Sequence, residues 1–394
     1  MGRTLAHRAR VAHPVVTGPL EDGCVVERDT RIVAVGRWAD LRDALPADAE
    51  IHDHGDVWLV PGLVNAHAHL ELTGHGTVPF GGSLFNWLDK VAEQSKLLAR
   101  ERPEAFAEAA DEGARMLRET GTAAILDTTL WGVRARSDAL IVPAYEFLSF
   151  SAREDERPFY RQAIERAAAD AARGLRCALE PHTLYTVHPG LMRKAREIAN
   201  REGVLFATHV AETREEVEFI SRGTGPMVDW LRDQGAPIEE YGTARSPVRR
   251  LDELGVLDRA VLFHANYVEE RDFATLVRRS ASVVYCPRSH RHFGHEPHPA
   301  PAMVRAGVNV CLGTDGLVSN VGLDMRAEML CALHRCPGLD PETVLLMATL
   351  CGARALGIDG ELGALAPGLR AEFAELPVAE FPLPLPPGGV RSQG

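Results

Sequence analysis

Two histidines one residue apart, His67 and His69, close an apolar run that reads PGLVNAHAHL. Side chains at i and i+2 of a strand point to the same side, so this pair can aim two imidazoles at one ion. Alone the pattern is weak, because paired histidines also occur on solvated surfaces. Three further side chains repeat the placement: His209 ends LFATH, His264 ends VLFH and Asp315 ends VNVCLGTD. His67, His69, His209 and Asp315 supply three imidazoles and a carboxylate. That is a ligand set for one divalent ion, with room left for water. Zinc is the first expectation, and the same set accepts iron(II) or manganese. Such an ion lowers the pKa of bound water towards neutrality. Glu212 follows shortly after His209 in THVAET. A carboxyl there can carry protons to a substrate ring and to its leaving group. The competing reading is a solvated glutamate opening the acidic helix AETREEVEFI; the neighbouring His209 favours the catalytic one.

These residues meet only if the elements behind them bring the strand ends together. Apolar runs of strand length occur at 58–67, 121–129, 139–149, 176–182, 204–209, 260–266, 281–287 and 308–315. Helical segments such as PEAFAEAADEGARMLRETG and PGLMRKAREIANREG separate them, each ending near a glycine, a common helix stop. Continuous apolar strands alternating with helices read as buried parallel strands, and eight units predict a TIM-type (β/α)8 barrel. Barrel enzymes carry their chemistry at the C-terminal ends of the strands, where these histidines and Asp315 fall. The third strand is the least clearly marked.

The two chain ends differ from this middle. Short strands and turns fill 1–60, and turn-rich text returns over 357–394, so both ends are expected to pair into one small β-sandwich beside a barrel at 61–356. The last residues, FPLPLPPGGVRSQG, read as loop or disorder. The chain has 394 residues and a net charge of -12, a balance that argues against nucleic acid or an anionic membrane as a partner. No stretch approaches a membrane span, and no apolar run follows the basic N-terminus as in a leader peptide. Seven scattered cysteines with no C-x-x-C pair read as free thiols of a cytoplasmic protein.

The segments PGLVNAHAHL, PHTLYT, THVAET, HANYV, CPRSH and GTDGLVSN, in that order, resemble the amidohydrolase superfamily in its cytosine-deaminase and chlorohydrolase branch. GELGALAPGLRAEF resembles that branch's returning β-segment, and the likeness runs from about residue 20 to 375. The resemblance implies a distorted barrel with a β-sandwich built from both termini. It also implies a catalytic role for Glu212, a water-orienting role for His264, and a double role for Asp315 as ligand and proton acceptor. Binuclear members carry a lysine at the end of the fourth strand. Here that end reads ALEPHTLYT, and Lys194 lies further on in a helical segment. One ion and hydrolytic deamination follow as the expectation: activated water attacks an amino-bearing ring carbon and ammonia leaves. Glu180 keeps a second ion open, against the alternative of a hydrogen-bonding group on the barrel rim.

Within the branch, HAHLEL resembles the aminodeoxyfutalosine deaminases, which act on an adenine-bearing intermediate of menaquinone synthesis. Glu71 in this segment would then meet the ligand, or else brace a metal histidine. Trp87, in SLFNWLDKV, is a candidate wall against a flat base, although packing of an amphipathic helix explains such a stretch as readily. His182 is a candidate ligand contact. Arg288 is a candidate partner for a ligand carboxylate. His290 stands where the branch has asparagine, in a run with His292, His295 and His298 expected to form a solvated loop over the pocket. Alternatives are S-adenosylhomocysteine, adenosine, cytosine, guanine or a triazine as substrate, or a scaffold without metal. A homodimer is expected from relatives.

Overall fold

The computed structural model describes residues 3–150 and 158–384. The first apolar run does not stay one strand. It breaks at Gly62 into β5 (Val57–Pro61), which joins a sheet made of the chain ends, and β6 (Leu63–Ala68), which opens the barrel. A Cβ on Gly62 would lie 2.5 Å from that of Ala123, so the crossover between the two sheets leaves room for glycine only.

Ahead of β5 come β1 (Thr4–Ala12), β2 (Leu20–Arg28), β3 (Arg31–Arg37) and β4 (Glu50–Asp53). The barrel strands after β6 are β7 (Thr122–Thr129), β8 (Leu140–Phe147), β9 (Ala178–Pro181), β10 (Leu205–Val210), β11 (Val261–His264), β12 (Ser282–Tyr285) and β13 (Asn309–Leu312). All eight expected barrel strands are present, and β8, the least marked, pairs with both neighbours in parallel. The last strand, β14 (Phe373–Pro377), pairs antiparallel with β5, so the six-stranded sheet runs β14-β5-β1-β2-β3 with β4 beside β1.

The barrel sheet runs β6 to β13 in sequence order. Its ends meet through a bridge between Ala68 and Asp315 and bonds from the Thr314 and Asp315 N–H groups to the His67 carbonyl. Alternation divides the strand residues. Val64, Ala124, Leu126, Ala144 and Phe263 pack in one cluster, while Ile125, Ile141, Leu262 and Val283 pack with the helices in another. Ala353, Leu356 and Ile358, after the last barrel strand, belong to the first cluster. All seven cysteines are free thiols. Among the described residues no helix is long and apolar enough to cross a membrane. The end of the Pro-rich tail, 385–394, lies outside the described residues.

Candidate metal centre and active site

Every side chain assigned to the ion reaches one point at the C-terminal ends of the strands. His67, on β6, is fully buried and lies against the Phe263 ring at 3.8 Å between centroids. His69 follows β6, His209 is on β10, and Asp315 comes just after β13. Ring centroids are 4.8 Å apart for His67 and His69, 5.0 Å for His67 and His209, and 5.7 Å for His69 and His209. Asp315 Oδ1 stands 3.6 Å from His67 Nε2 and 3.5 Å from His69 Nε2. His264 closes on the same point: its ligand atom, one of His67 and one of Asp315 lie within 4.8 Å of one another, as do those of His67, His69 and His209.

Hydrogen bonds behind the imidazoles decide which nitrogen faces inward. Thr128 donates its hydroxyl proton to Glu180 Oε2 at 2.9 Å, so its oxygen accepts from His67 Nδ1 at 3.3 Å. That leaves His67 Nε2 as a lone pair, and it is buried without a hydrogen-bond partner. An orphaned basic nitrogen facing a carboxylate and two more imidazoles fits a bound cation. His209 Nδ1 lies 3.3 Å from the His182 carbonyl and 3.4 Å from Glu180 Oε1, which turns its Nε2 inward as well. Burial drives all three histidines below their ordinary pKa, so they are neutral donors of lone pairs. Asp315 is opposite. Burial works against its charge, while the facing His264, His69 and His67 and the Ser289 hydrogen bond favour it, and its pKa lies below the ordinary carboxylate value. Ser289 and Ser319 donate to its Oδ2 at 2.6 and 2.8 Å.

Glu212 sits beside this point with its Oε1 3.8 Å from His264 Nε2. Burial, then the charge of Asp315, pushes it up to about 8, so at neutral pH it is a carboxylic acid with a proton to give. Its backbone is fixed by Glu216, which accepts from the Ala211 and Glu212 N–H groups, and by Asn266, which donates to the Glu212 carbonyl. The solvated-helix reading of Glu212 therefore fails: the residue is nearly buried and the helix begins two positions later, at Arg214.

His182 joins the same floor, its ring 4.9 Å from that of His209. Burial, then His69 and His264, lowers it to about 3, so it is a neutral hydrogen-bonding group. Its Nδ1 meets Thr186 at 2.8 Å, and its Nε2 looks towards Glu146 at 3.8 Å. Glu146 was not singled out from the sequence. It is the last but one residue of β8, the same position rule that finds His209 applies to it, and burial, then Glu71, raises its pKa. With His182 and His209 it forms a further group whose ligand atoms lie within 4.8 Å.

Three expected substrate contacts are placed elsewhere. Glu71 accepts from Thr129 Oγ1 at 2.5 Å and from the Leu130 and Trp131 N–H groups, so both oxygens are spent on the turn after β7. It braces that turn, because a buried carboxyl must be hydrogen bonded. Trp87 is packed among Val78, Leu84, Val91, Phe293 and Val318, edge-on to Phe293, with its Nε1 donating to the Val78 carbonyl at 2.9 Å. It is core, not an open wall. Arg288 turns inward, donating to the Gly322 carbonyl at 3.0 Å with Glu328 at 3.8 Å. The His-rich run is also no solvated loop. Residues Pro287–His292 form a helix, His290 and His298 are buried, and His298 Nε2 donates to the His264 carbonyl at 2.8 Å. Glu180 accepts from Thr128, and its Oε1 stands 3.4 Å from His209 Nδ1 without a hydrogen bond; Lys194 lies in the helix Pro189–Glu202.

Residues 58–380 match the Amidohydrolase family. An aminodeoxyfutalosine deaminase from Deinococcus radiodurans is 33% identical over 358 residues, covering 86% of this chain and 82% of the relative. A 5-methylthioadenosine/S-adenosylhomocysteine deaminase from Syntrophobacter fumaroxidans is 33% identical over 382 residues, covering 92% and 81%. Among solved structures, an adenosine deaminase from Xanthomonas campestris with bound zinc superposes with a TM-score of 0.75 at 26% identity, over 95% of this chain and 85% of that one.

Proposed function

The chain belongs to the amidohydrolase family, and we propose that within it the chain is a mononuclear, metal-dependent deaminase of an adenine-type nucleoside. The observation that carries this reading is the convergence of His67, His69, His209, His264 and Asp315 on one point, with the Glu212 carboxyl 3.8 Å from His264 at its edge. His67, His69, His209 and Asp315 would hold the ion. Bound there, a divalent ion such as zinc supplies Lewis-acid activation of water.

The chain's own groups account for the proton movements. Glu212 gives its proton to a purine ring nitrogen, which makes the amino-bearing carbon electrophilic. Asp315 accepts a proton as water is activated and gives it to the departing amine, which leaves as ammonia, while the hydroxyl proton of the adduct returns to Glu212 as the carbonyl forms. His264 orients the attacking water from the side facing Glu212. His182, neutral and pinned by Thr186, offers one ring nitrogen to the base or sugar. Glu146 stands behind it as a second hydrogen-bonding carboxyl.

For the substrate itself we favour 6-aminodeoxyfutalosine, on the HAHLEL segment and the Deinococcus relative. A place in menaquinone synthesis would follow. The equal identity of the S-adenosylhomocysteine deaminase makes thioether nucleosides the second reading. The test is ammonia release from aminodeoxyfutalosine, S-adenosylhomocysteine, methylthioadenosine, adenosine, cytosine and guanine by the zinc-loaded chain. The highest kcat/KM is expected on aminodeoxyfutalosine. Preference for cytosine or guanine, or no activity on any adenine nucleoside, overturns the proposal.

A further inference from the structure

A second His-x-His lies in the six-stranded sheet, at His52 and His54. β4 runs parallel to β1 with His52 opposite His7, and the His54 N–H continues the pairing by bonding to the Arg8 carbonyl at 2.8 Å. Three imidazoles thus gather at one place. Their centroids are 5.3 Å apart for His7 and His54, 5.8 Å for His7 and His52, and 6.4 Å for His52 and His54. The first two values are close to those among His67, His69 and His209.

The protons on these rings can be counted. His54 Nδ1 is 2.7 Å from Glu375 Oε1, and His7 Nε2 is 3.2 Å from Glu27 Oε2. A carboxylate only accepts, so each imidazole spends its N–H there, and a neutral imidazole has one N–H. The remaining nitrogens, His7 Nδ1 and His54 Nε2, face each other 3.1 Å apart. Both then present lone pairs, a repulsive contact unless a cation lies between them. A shared proton, making an N–H···N bond at this distance, is one such cation, and a metal ion is the other. The spacing also suits two ligands of one tetrahedral ion, each bonded at about 2.0–2.1 Å. Histidine ligands characteristically donate their far N–H to a carboxylate, the arrangement that Glu27 and Glu375 make here.

We propose that His7, His52 and His54 bind a first-row divalent transition ion of the zinc or copper(II) class, separate from the catalytic centre. His52 is exposed, and its ring must rotate to bring in the third nitrogen; water completes the set. All-imidazole ligation selects these ions over magnesium or calcium. The ion would clip β4, which among the described residues pairs only with β1, to the body of the sheet. This assignment stands apart from the deaminase reading.

Zinc alone is the probe. The full chain is stripped with chelator, reloaded, freed of excess zinc and counted by elemental analysis. We expect about two zinc ions per chain for the unaltered protein, and about one for both His52→Ala/His54→Ala and His67→Ala. Zinc should raise the Tm of His67→Ala and leave deamination by His52→Ala/His54→Ala unchanged. A cobalt(II) titration of the unaltered chain gives a second count that needs no variant, with two absorbance steps expected. One zinc in the unaltered chain, a single cobalt step, or an unchanged count in His52→Ala/His54→Ala overturns the proposal.

Discussion

The division of labour at the site is set by single hydrogen bonds. Thr128 can accept from His67 only because its own proton goes to Glu180, and that exchange points His67 Nε2 inward. Glu180 Oε1 also stands 3.4 Å from His209 Nδ1, so one carboxyl backs two of the candidate ligands. Replacing it with alanine should weaken zinc affinity about 10–100-fold, the usual cost of losing a partner behind a ligand. Competition with a chromogenic chelator measures this, and an unchanged affinity would show that the His182 carbonyl alone orients His209. Glu212 makes the complementary case. Glu212→Gln should keep the zinc count and lower kcat by about 10²–10⁴-fold, the range for losing a general acid or base. Elemental analysis and steady-state rates on the same sample separate the two effects. The candidate ligand cluster was legible in the sequence because its residue types are rare and stand at strand ends. Glu71, Trp87 and Arg288 misled for the converse reason. Their types suit a ligand equally well, but only packing shows that Thr129, Phe293 and Gly322 already occupy them.

At the level of elements, the backbone turns sharply wherever the site needs it. Ala211, His264, Ala265 and Asp315 all have positive φ, between 48° and 65°, at the ends of β10, β11 and β13. Non-glycine residues reach this region at a cost of about 1–3 kcal/mol each. Here the cost is offset by fixed partners: Glu216 holds the Ala211 N–H, and His298 holds the His264 carbonyl. His298 has no freedom to do otherwise, since its Nδ1 accepts from the Ala300 N–H and its Nε2 must donate. Periodicity gave no sign of these turns, because they depend on tertiary partners rather than on local pattern. It likewise could not show that the run at 58–67 serves two sheets. Gly62 carries that change, and Gly62→Ala should destabilise the chain by about 1–3 kcal/mol through overpacking against Ala123. Urea unfolding at fixed m-value reads the loss, and an unaltered midpoint would mean the crossover has slack.

For the whole molecule, the barrel was legible because eight apolar runs must each bury both faces, and a closed parallel sheet under helices does so for all of them at once. The pairing of the chain ends was readable only as composition. Its register, with β14 against β5, depends on contacts between residues more than three hundred positions apart, which no local pattern encodes. That sheet abuts the barrel at Gly121, where a Cβ would lie 2.6 Å from that of Ala374, so the small sheet and β7 are tightly joined. The central claim belongs to this scale, because it needs β6, β10, β11 and β13 closed around one ion while Glu212 holds a proton at their edge. The most direct measurement is the ultraviolet change from adenine to hypoxanthine with aminodeoxyfutalosine as substrate. It is followed on the metal-stripped chain and again after zinc is restored. The account predicts no turnover without metal, full turnover with zinc, and turnover lowered by about 10²–10⁴-fold in Glu212→Gln that still carries zinc. Equal turnover by the stripped chain, or by Glu212→Gln, would contradict it.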